Sequence, residues 1–547
     1  MHSIPDWIKK TKPALPFFFL FLCTVLCFFS YGWEYYPQLD DFIQYHNYEF
    51  GASISDFWKL AESLGMLSAR PLAGLSDLFV WSWFWGCLPL IPLILAALHT
   101  ASCGLFYTVF HRRFSSGWLF PVLFLLPPLG LEASYWISAA TRIIPAVFFS
   151  GLGLFFFDRY LDSGKAASLA ASLLFPLLSF CYYEQAIPFT VLLYPAFALL
   201  CRNVSLKGRL WSAVPAGIAL LYLFCLSLLP ESALYGDRSG LVQPFGNWYW
   251  TVFLPDLLSQ LKSVFLEGNF ALLTRGLWRS LSYIITDGLW LFALLILILV
   301  VLLFFSMRDS KKESSAPGRS LILGLLLIPT PWLPFFVLEN PWFSFRCAAF
   351  SFCGIALAAD SLLRLASERR RRWLPVSRAA AAGLALVFCL CSVAELHDYR
   401  ETASDDLRFG EQILSTLQED GVWDPGLRIG ILNLEPSYLE DSTYTYHEHI
   451  HGVTESEWAL TGYLTCLAEK PAPSVAPLPS SPMYRAWNRS VMLPDTFDAL
   501  YLLDQNGDLI RVTAVLMEDG FWELTDQSGQ TVGSVRETDG IGFLIFP

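Results

Sequence analysis

Charge is what this chain has least of. Only 15% of its 547 residues are Asp, Glu, Lys or Arg, against 54% hydrophobic residues and a mean hydropathy of +0.47. Apolar runs of roughly 17 to 25 residues recur from end to end, which is the length a bilayer asks of a spanning helix and marks a polytopic membrane protein. Polar–apolar alternation is lacking in those runs, so a transmembrane barrel is excluded and helices are the spanning element. Paired cysteine is scarce where it would matter. Eleven of the twelve cysteines lie in or beside apolar runs and only Cys466 lies in the polar C-terminal part, so no disulfide framework and no CxxC metal pattern can be built there. No GxGxxG, Walker A, HExxH or GxSxG sequence occurs in a credible context, which leaves nucleotide-driven chemistry on the cytoplasmic side unsupported.

What charge there is divides unevenly. From His397 onward 25 acids face 8 Lys/Arg, leaving 23 acids and 28 bases in the apolar part. A mildly basic membrane body (1–396) thus carries an acidic soluble domain (397–547), a balance that argues against nucleic acid and against an anionic lipid surface. The spacing predicts eleven helices, at about 14–33, 80–110, 118–135, 137–157, 166–183, 186–201, 210–229, 288–306, 320–338, 347–364 and 376–396. The second is unusually long and reads as kinked from, or preceded by, an interfacial segment. The first follows Lys9, Lys10 and Lys12 and reads as a retained signal anchor, because Phe28 to Trp33 is a poor cleavage site. Basic clusters occupy every second connection: Arg112/Arg113, Arg159/Lys165, Arg202/Lys207/Arg209, Arg308 to Arg319, and Arg369 to Arg372 with Arg378. By the positive-inside rule the N-terminus is cytoplasmic and the C-terminal domain extracytoplasmic.

The outward connections hold the residues that topology does not require. The first, 34–79, opens with Trp33-Glu34-Tyr35-Tyr36-Pro37-Gln38-Leu39-Asp40-Asp41, two carboxylates among aromatic rings. It continues through an amphipathic stretch, Ser55 to Glu62, suited to lying on the membrane, and ends near Arg70. The second contains Glu132 and Arg142, the third Tyr183-Glu184, the fourth (230–287) Arg275 and Arg279 among aromatics, and the fifth Glu339 and Arg346. Trp and Tyr at such depths belong to the ordinary interfacial belt. Ionisable groups just inside helix ends normally have partners and mark candidate sites.

The soluble domain reads as α+β: a helix at about 404–419 with Ser404 as N-cap, a strand at 427–434, a Pro/Ser-rich linker at 471–482, and a β-rich end from about 495. Turns at Gln505-Asn506-Gly507-Asp508, Glu518-Asp519-Gly520, Gln527-Ser528-Gly529 and Thr538-Asp539-Gly540 predict a meander. In His447-Glu448-His449-Ile450-His451, an extended backbone would put three imidazoles on one face, where His447, His449 and His451 could converge on a zinc-like ion; the alternative is a solvated loop.

In layout the chain resembles the GT-C superfamily of integral membrane glycosyltransferases, which includes protein mannosyltransferases, aminoarabinose transferases and bacterial surface-polysaccharide glucosyltransferases. The resemblance rests on the first helix, the Asp40-Asp41 pair just outside it, surface segments in the first outward loop, polar residues on later outward turns and a C-terminal extracytoplasmic domain. Only the Asp pair matches in motif. It implies a polytopic all-α membrane protein of about eleven transmembrane helices, N-in and C-out, with an extracytoplasmic α+β domain. It implies transfer of a sugar from a polyprenyl-phosphate donor to an envelope polysaccharide, lipid or protein at the cell membrane; the lack of stabilising disulfides in the exterior part suits a bacterial envelope. Asp40 maps to the catalytic carboxylate and Asp41 to its neighbour. Arg142, Arg346 and Arg70 are candidates for the donor phosphate, and Glu132, Glu184, Glu339 and Tyr183 for orienting them or binding sugar hydroxyls. No cofactor is certain; a divalent cation at Asp41 stays open, since the superfamily includes metal-using and metal-independent members. A lipid or polysaccharide-precursor transporter and a non-catalytic envelope scaffold are the rival readings.

Overall fold

The computed structural model describes residues 14–47, 70–228, 240–307, 317–339, 341, 343–368, 374–434, 437, 450–478, 496–538 and 541–545. Contacts divide them into two units. The first takes 14–35 and 70–397; the second takes 36–47, the described residues from 398 to 437, and 450–545. The Asp40-Asp41 segment therefore packs within the unit that holds the C-terminal part of the chain.

Among the described residues of the first unit, ten helices are apolar enough to count as spans or parts of spans. They are α1 (Leu15–Phe28), α2 (Leu90–Phe114), α3 (Ile137–Ser163), α4 (Ala166–Tyr182), α5 (Ala186–Leu200), α6 (Leu206–Ser227), α7 (Trp290–Ser306), α8 (Pro317–Phe336), α9 (Phe345–Ala366) and α10 (Val376–Glu419). Six of them have at least 18 residues and the hydropathy of a membrane span; α1, α4, α5 and α7 are shorter. The stretch expected as a helix over 118–135 is broken instead into Leu119–Leu125, Pro128–Gly130 and Leu131–Ser134. Pro127 and Pro128 are the cause. Pro127 has ψ 130°, the extended conformation forced on a residue that precedes proline, and neither residue can donate to a helical ladder. The long second stretch does have an irregular lead-in, Asp77–Trp81 and Ser82–Cys87, before α2 becomes regular.

Small residues and buried polar pairs set the helix packing. A Cβ on Gly354 of α9 would lie 2.6 Å from the carbonyl oxygen of Gly324 in α8, so the two backbones touch there. Asp360, buried in α9, accepts from Gly117 N at 2.7 Å and caps the start of the Leu119–Leu125 helix. Ser179 of α4 donates to Ala146 O of α3 at 2.6 Å, and Tyr194 of α5 to Ser172 O of α4 at 2.9 Å. Arg112 and Arg113 at the end of α2 pair with Asp158 and Asp162 of α3. These arginines, read from sequence as topology signals, also tie two helices together.

Helix α10 carries the chain from one unit into the other. Its 44 residues would extend about 66 Å at 1.5 Å per residue, twice the hydrocarbon thickness, so only its apolar first half, about 376–396, is membrane span. The expected separate helix at 404–419 is the continuation of this one, and Ser404 lies inside it instead of capping it.

In the second unit a seven-stranded sheet has the order β2-β1-β3-β4-β5-β6-β7. Its strands are β1 (Arg428–Leu432), β2 (Ser474–Leu478), β3 (Ala499–Leu503), β4 (Leu509–Leu516), β5 (Phe521–Asp526), β6 (Thr531–Thr538) and β7 (Ile541–Ile545). β1 runs parallel to β2 and β3, with helix α11 (Glu457–Ala468) in the β1-to-β2 crossover; the others form an antiparallel meander. Three of the meander turns fall where expected, with Gly507 at φ +85°, Gly520 at φ +77° and Gly529 at φ +83°, which only glycine adopts without strain; Asp539 and Gly540 of the fourth lie outside the described residues. The segment read as a Pro/Ser-rich linker contains β2. That strand sits at the sheet edge, where Pro477 costs no ladder bond on its outer side. Leu432, Leu500, Leu502, Val512, Leu524 and Val535 form the core of this unit.

Candidate active site

Each unit presents its own group of functional residues. In the second, the chain turns sharply at Leu39, whose φ of +36° is unusual for a branched residue, and enters Asp40-Asp41 and a π-helical turn, Phe42–Asn47. The two carboxylates have different surroundings. Asp41 has no exposed surface, and its Oδ2 accepts from Gln38 N at 3.0 Å, closing the turn. Asp40 is half-buried, and its Oδ1 accepts from the Trp458 indole Nε1 at 3.2 Å. Gln38 Oε1 accepts from His451 N at 3.2 Å, and Phe42 packs edge-on against Tyr463 with centroids 4.6 Å apart. Local sequence explains the helical turn. The contacts across more than 400 residues had no sequence signal.

His451 bonds through Nδ1 to Glu455 Oε2 at 2.9 Å. His447 and His449 lie outside the described residues. Among the described residues no group of three or more His, Cys, Asp or Glu side chains is placed to hold a metal ion. Behind the 451–455 loop, Asp406 is buried; its Oδ1 accepts from Val453 N at 3.0 Å and from the Ser437 hydroxyl. Burial pushes its carboxyl up to about 8 against the hydrogen bonds that lower it, with Glu455 and Asp405 adding to the rise.

In the first unit each candidate arginine meets a carboxylate. Arg70, just before the short helix Pro71–Ser76, forks onto Glu184: Nε to Oε2 at 2.7 Å and Nη2 to Oε1 at 2.6 Å. Its guanidinium lies over the Tyr183 ring at 4.6 Å. Arg142 of α3 donates from Nη2 to Asp77 Oδ2 at 2.6 Å. Arg346 donates its backbone N–H to Glu132 Oε2 at 2.8 Å, brings Nε within 3.6 Å of Oε1, and stacks over Trp136 at 5.0 Å. Glu132 and Asp77 are fully buried, Tyr183 nearly so.

These pairs converge on the turn between α4 and α5. Burial raises the Tyr183 phenol, while Arg70 and Arg346 both act to lower it. Desolvation would also raise Glu184, whose side chain is nonetheless 48% exposed, but Arg70, with help from Arg142, brings it below the usual carboxylate range. Three guanidinium groups thus lie within electrostatic reach of residues 183–184. Glu339 is exposed, and its backbone N–H pairs with Gly240 O at 2.8 Å in a short bridge. Asp77 was missed from sequence. An acid opening the run Leu78-Phe79-Val80-Trp81 satisfies the same criterion that selected Glu132, so the signal was present.

No family model and no curated protein matches the chain. A solved structure described as the crystal structure of ArnT from Cupriavidus metallidurans bound to undecaprenyl phosphate matches over 86% of this chain and 90% of that one, with 14% identity and a TM-score of 0.34. At that TM-score the likeness decides nothing, and the functional reading rests on the chain's own residues.

Proposed function

We propose that the protein is a GT-C-type membrane glycosyltransferase that moves a sugar from a polyprenyl-phosphate donor to a cell-envelope acceptor at the outer face of the membrane. The observation that carries this is the division of labour in the Asp pair. Asp41 is spent inside the turn it closes, while the adjacent Asp40 presents a half-exposed carboxylate on a backbone constrained by Leu39. Of the two carboxylates, Asp40 is the one with exposed surface, which favours it as the base. The basic clusters on alternate connections support the same orientation, with the acidic C-terminal unit outside.

The acceptor hydroxyl attacks the anomeric carbon; its oxygen forms the new glycosidic bond and its proton passes to Asp40. The bond from the anomeric carbon to the phosphate oxygen breaks, and the electron pair leaves with the polyprenyl phosphate. The departing phosphate gains negative charge in that step, and a guanidinium stabilises it. Arg70, Arg142 and Arg346 take this role, because a planar fork that stays ionised matches phosphate oxygens. Glu132, Glu184 and Asp77 hold the arginines, Tyr183 supplies the face on which Arg70 rests, and Asp41 fixes the turn. Glu339 is assigned to acceptor contact.

Purified protein in lipid, offered a panel of polyprenyl-phosphate sugars with Asp40→Asn in parallel, tests the reading. Sugar transfer or slow donor hydrolysis is expected in the wild type and a loss of at least about 100-fold in the variant, the lower end of what a general base contributes. Wild-type turnover in Asp40→Asn, or movement of lipid across the bilayer without transfer, would overturn it.

A further inference from the structure

The second unit does more to Asp40 than carry it. Trp458, in the first turn of α11, reaches across 418 residues of sequence to donate its indole N–H to Asp40 Oδ1. His451 N, from the loop just before α11, grips Gln38 Oε1 on the other side of Leu39. Asp41 Oδ2 accepts from the Gln38 N–H between them. Leu39 is therefore fixed between two bonded residues, which is how a strained φ persists. The indole N–H is a donor with no acceptor capacity and no accessible titration. It can neither take the proton from Asp40 nor supply one. Its effect is to occupy Oδ1 and fix the carboxylate rotamer, leaving Oδ2 to face the acceptor hydroxyl.

We propose that Trp458 is a positioning residue for Asp40, so that the role of α11 and the 451–455 loop is to hold the base in its reactive rotamer. This rests on the reading of Asp40 as base. The bond lies beside solvent, with Trp458 54% exposed, so its contribution comes from orientation more than from bond strength. Orientation is the sensitive quantity, since a misplacement of about 1 Å can cost about 100-fold in rate.

The test uses the full chain in lipid with Trp458→Phe, and with Trp458 replaced by 3-benzothienylalanine, which keeps the shape of the ring and removes the N–H. Both variants are expected to lower kcat about tenfold and to leave the donor KM within about twofold, a split that loss of donor binding would not give. A kcat at or above wild type in the benzothienyl variant overturns the proposal. The contact is read without turnover by a double-mutant cycle of Asp40→Ala and Trp458→Phe in thermal unfolding. Non-additive Tm losses are expected, and additive losses overturn the contact and the proposal with it. Loss of transfer in Asp40→Asn together with normal kcat in the benzothienyl variant sinks the Trp458 role and leaves the base standing. Full transfer in Asp40→Asn sinks both.

Discussion

Asp406 should make the second unit less stable as pH rises. Its carboxyl titrates at about 8 in the folded protein, chiefly through burial, against about 3.9 in an unfolded chain. The folded state therefore holds a proton that the unfolded state has lost. Stability is complete below about pH 4, falls through the interval up to about 8, and is level beyond it, where both states are ionised. At about 1.36 kcal/mol per unit, the span between pH 5 and pH 8 corresponds to about 4 kcal/mol, an upper figure because the buried site relaxes and admits water. Asp406→Asn removes this slope. An amide oxygen in the Oδ1 place still accepts from Val453 N and Ser437, and the amide nitrogen replaces a protonated Oδ2 that lacks a hydrogen-bond partner among the described residues. The variant and wild type should match most closely below about pH 4, and the advantage of the variant should grow by up to about 4 kcal/mol between pH 5 and pH 8. Glu455, Asp405 and His451 are present in both proteins, so the difference between them isolates Asp406. The assay is denaturant unfolding of the full protein in detergent at pH 5, 6.5 and 8, followed by hydrogen exchange of peptides covering 450–460. A variant less stable than wild type at pH 8, or an equal pH slope in both, would refute the burial argument.

Two further outcomes follow from the first unit. Arg346→Lys keeps the charge but loses the planar fork and the stack over Trp136, and should lower kcat/KM for the donor by about 10- to 100-fold, about 1.4 to 2.7 kcal/mol of transition-state stabilisation; unchanged donor KM and rate would count against a phosphate role there. Gly354→Ala puts a methyl group 2.6 Å from Gly324 O and should destabilise the α8–α9 contact by about 1–3 kcal/mol, while Gly104→Ala, with open space around its Cβ, should lose nothing; equal melting temperatures for the two variants would remove the packing argument.

Local rules were legible in the sequence. The hairpin turns at Gly507, Gly520 and Gly529, the irregular lead-in to α2 and the breaks between α3, α4 and α5 all follow from residue type at short range. Errors arose where one residue type carries two meanings. Pro127-Pro128 lies in a run as apolar as any span, and hydropathy does not see a missing N–H. Pro477 marked a linker by composition, yet an edge strand tolerates it. Ser404 is a good cap in isolation, but the helix arriving from 376 already supplies the turn it would have started. In the site, the acids and arginines were legible as unusual charges in apolar surroundings. Their pairing was not, because Glu132 and Arg346 are 214 residues apart and Arg70 and Glu184 are 114.

That pairing bears on how an anion would be received. Three arginines and three acids at one place have no net charge, so a phosphate would not be drawn in by a bare positive field. Placing guanidinium groups beside apolar helices without partners would cost several kcal/mol each, and the acids remove that cost before any donor arrives. They also fix the orientation of the forks: Glu184 takes both Nε and Nη2 of Arg70, and Asp77 takes Nη2 of Arg142. A site of this kind stabilises charge that develops during the reaction more than charge already present in the ground state. In the proposed transfer, donor and product differ in that respect, since the leaving phosphate would gain charge as the sugar departs. In the proposed reaction, prealigned, internally neutralised arginines would act on that difference, and differential stabilisation raises kcat where uniform attraction would lower only KM.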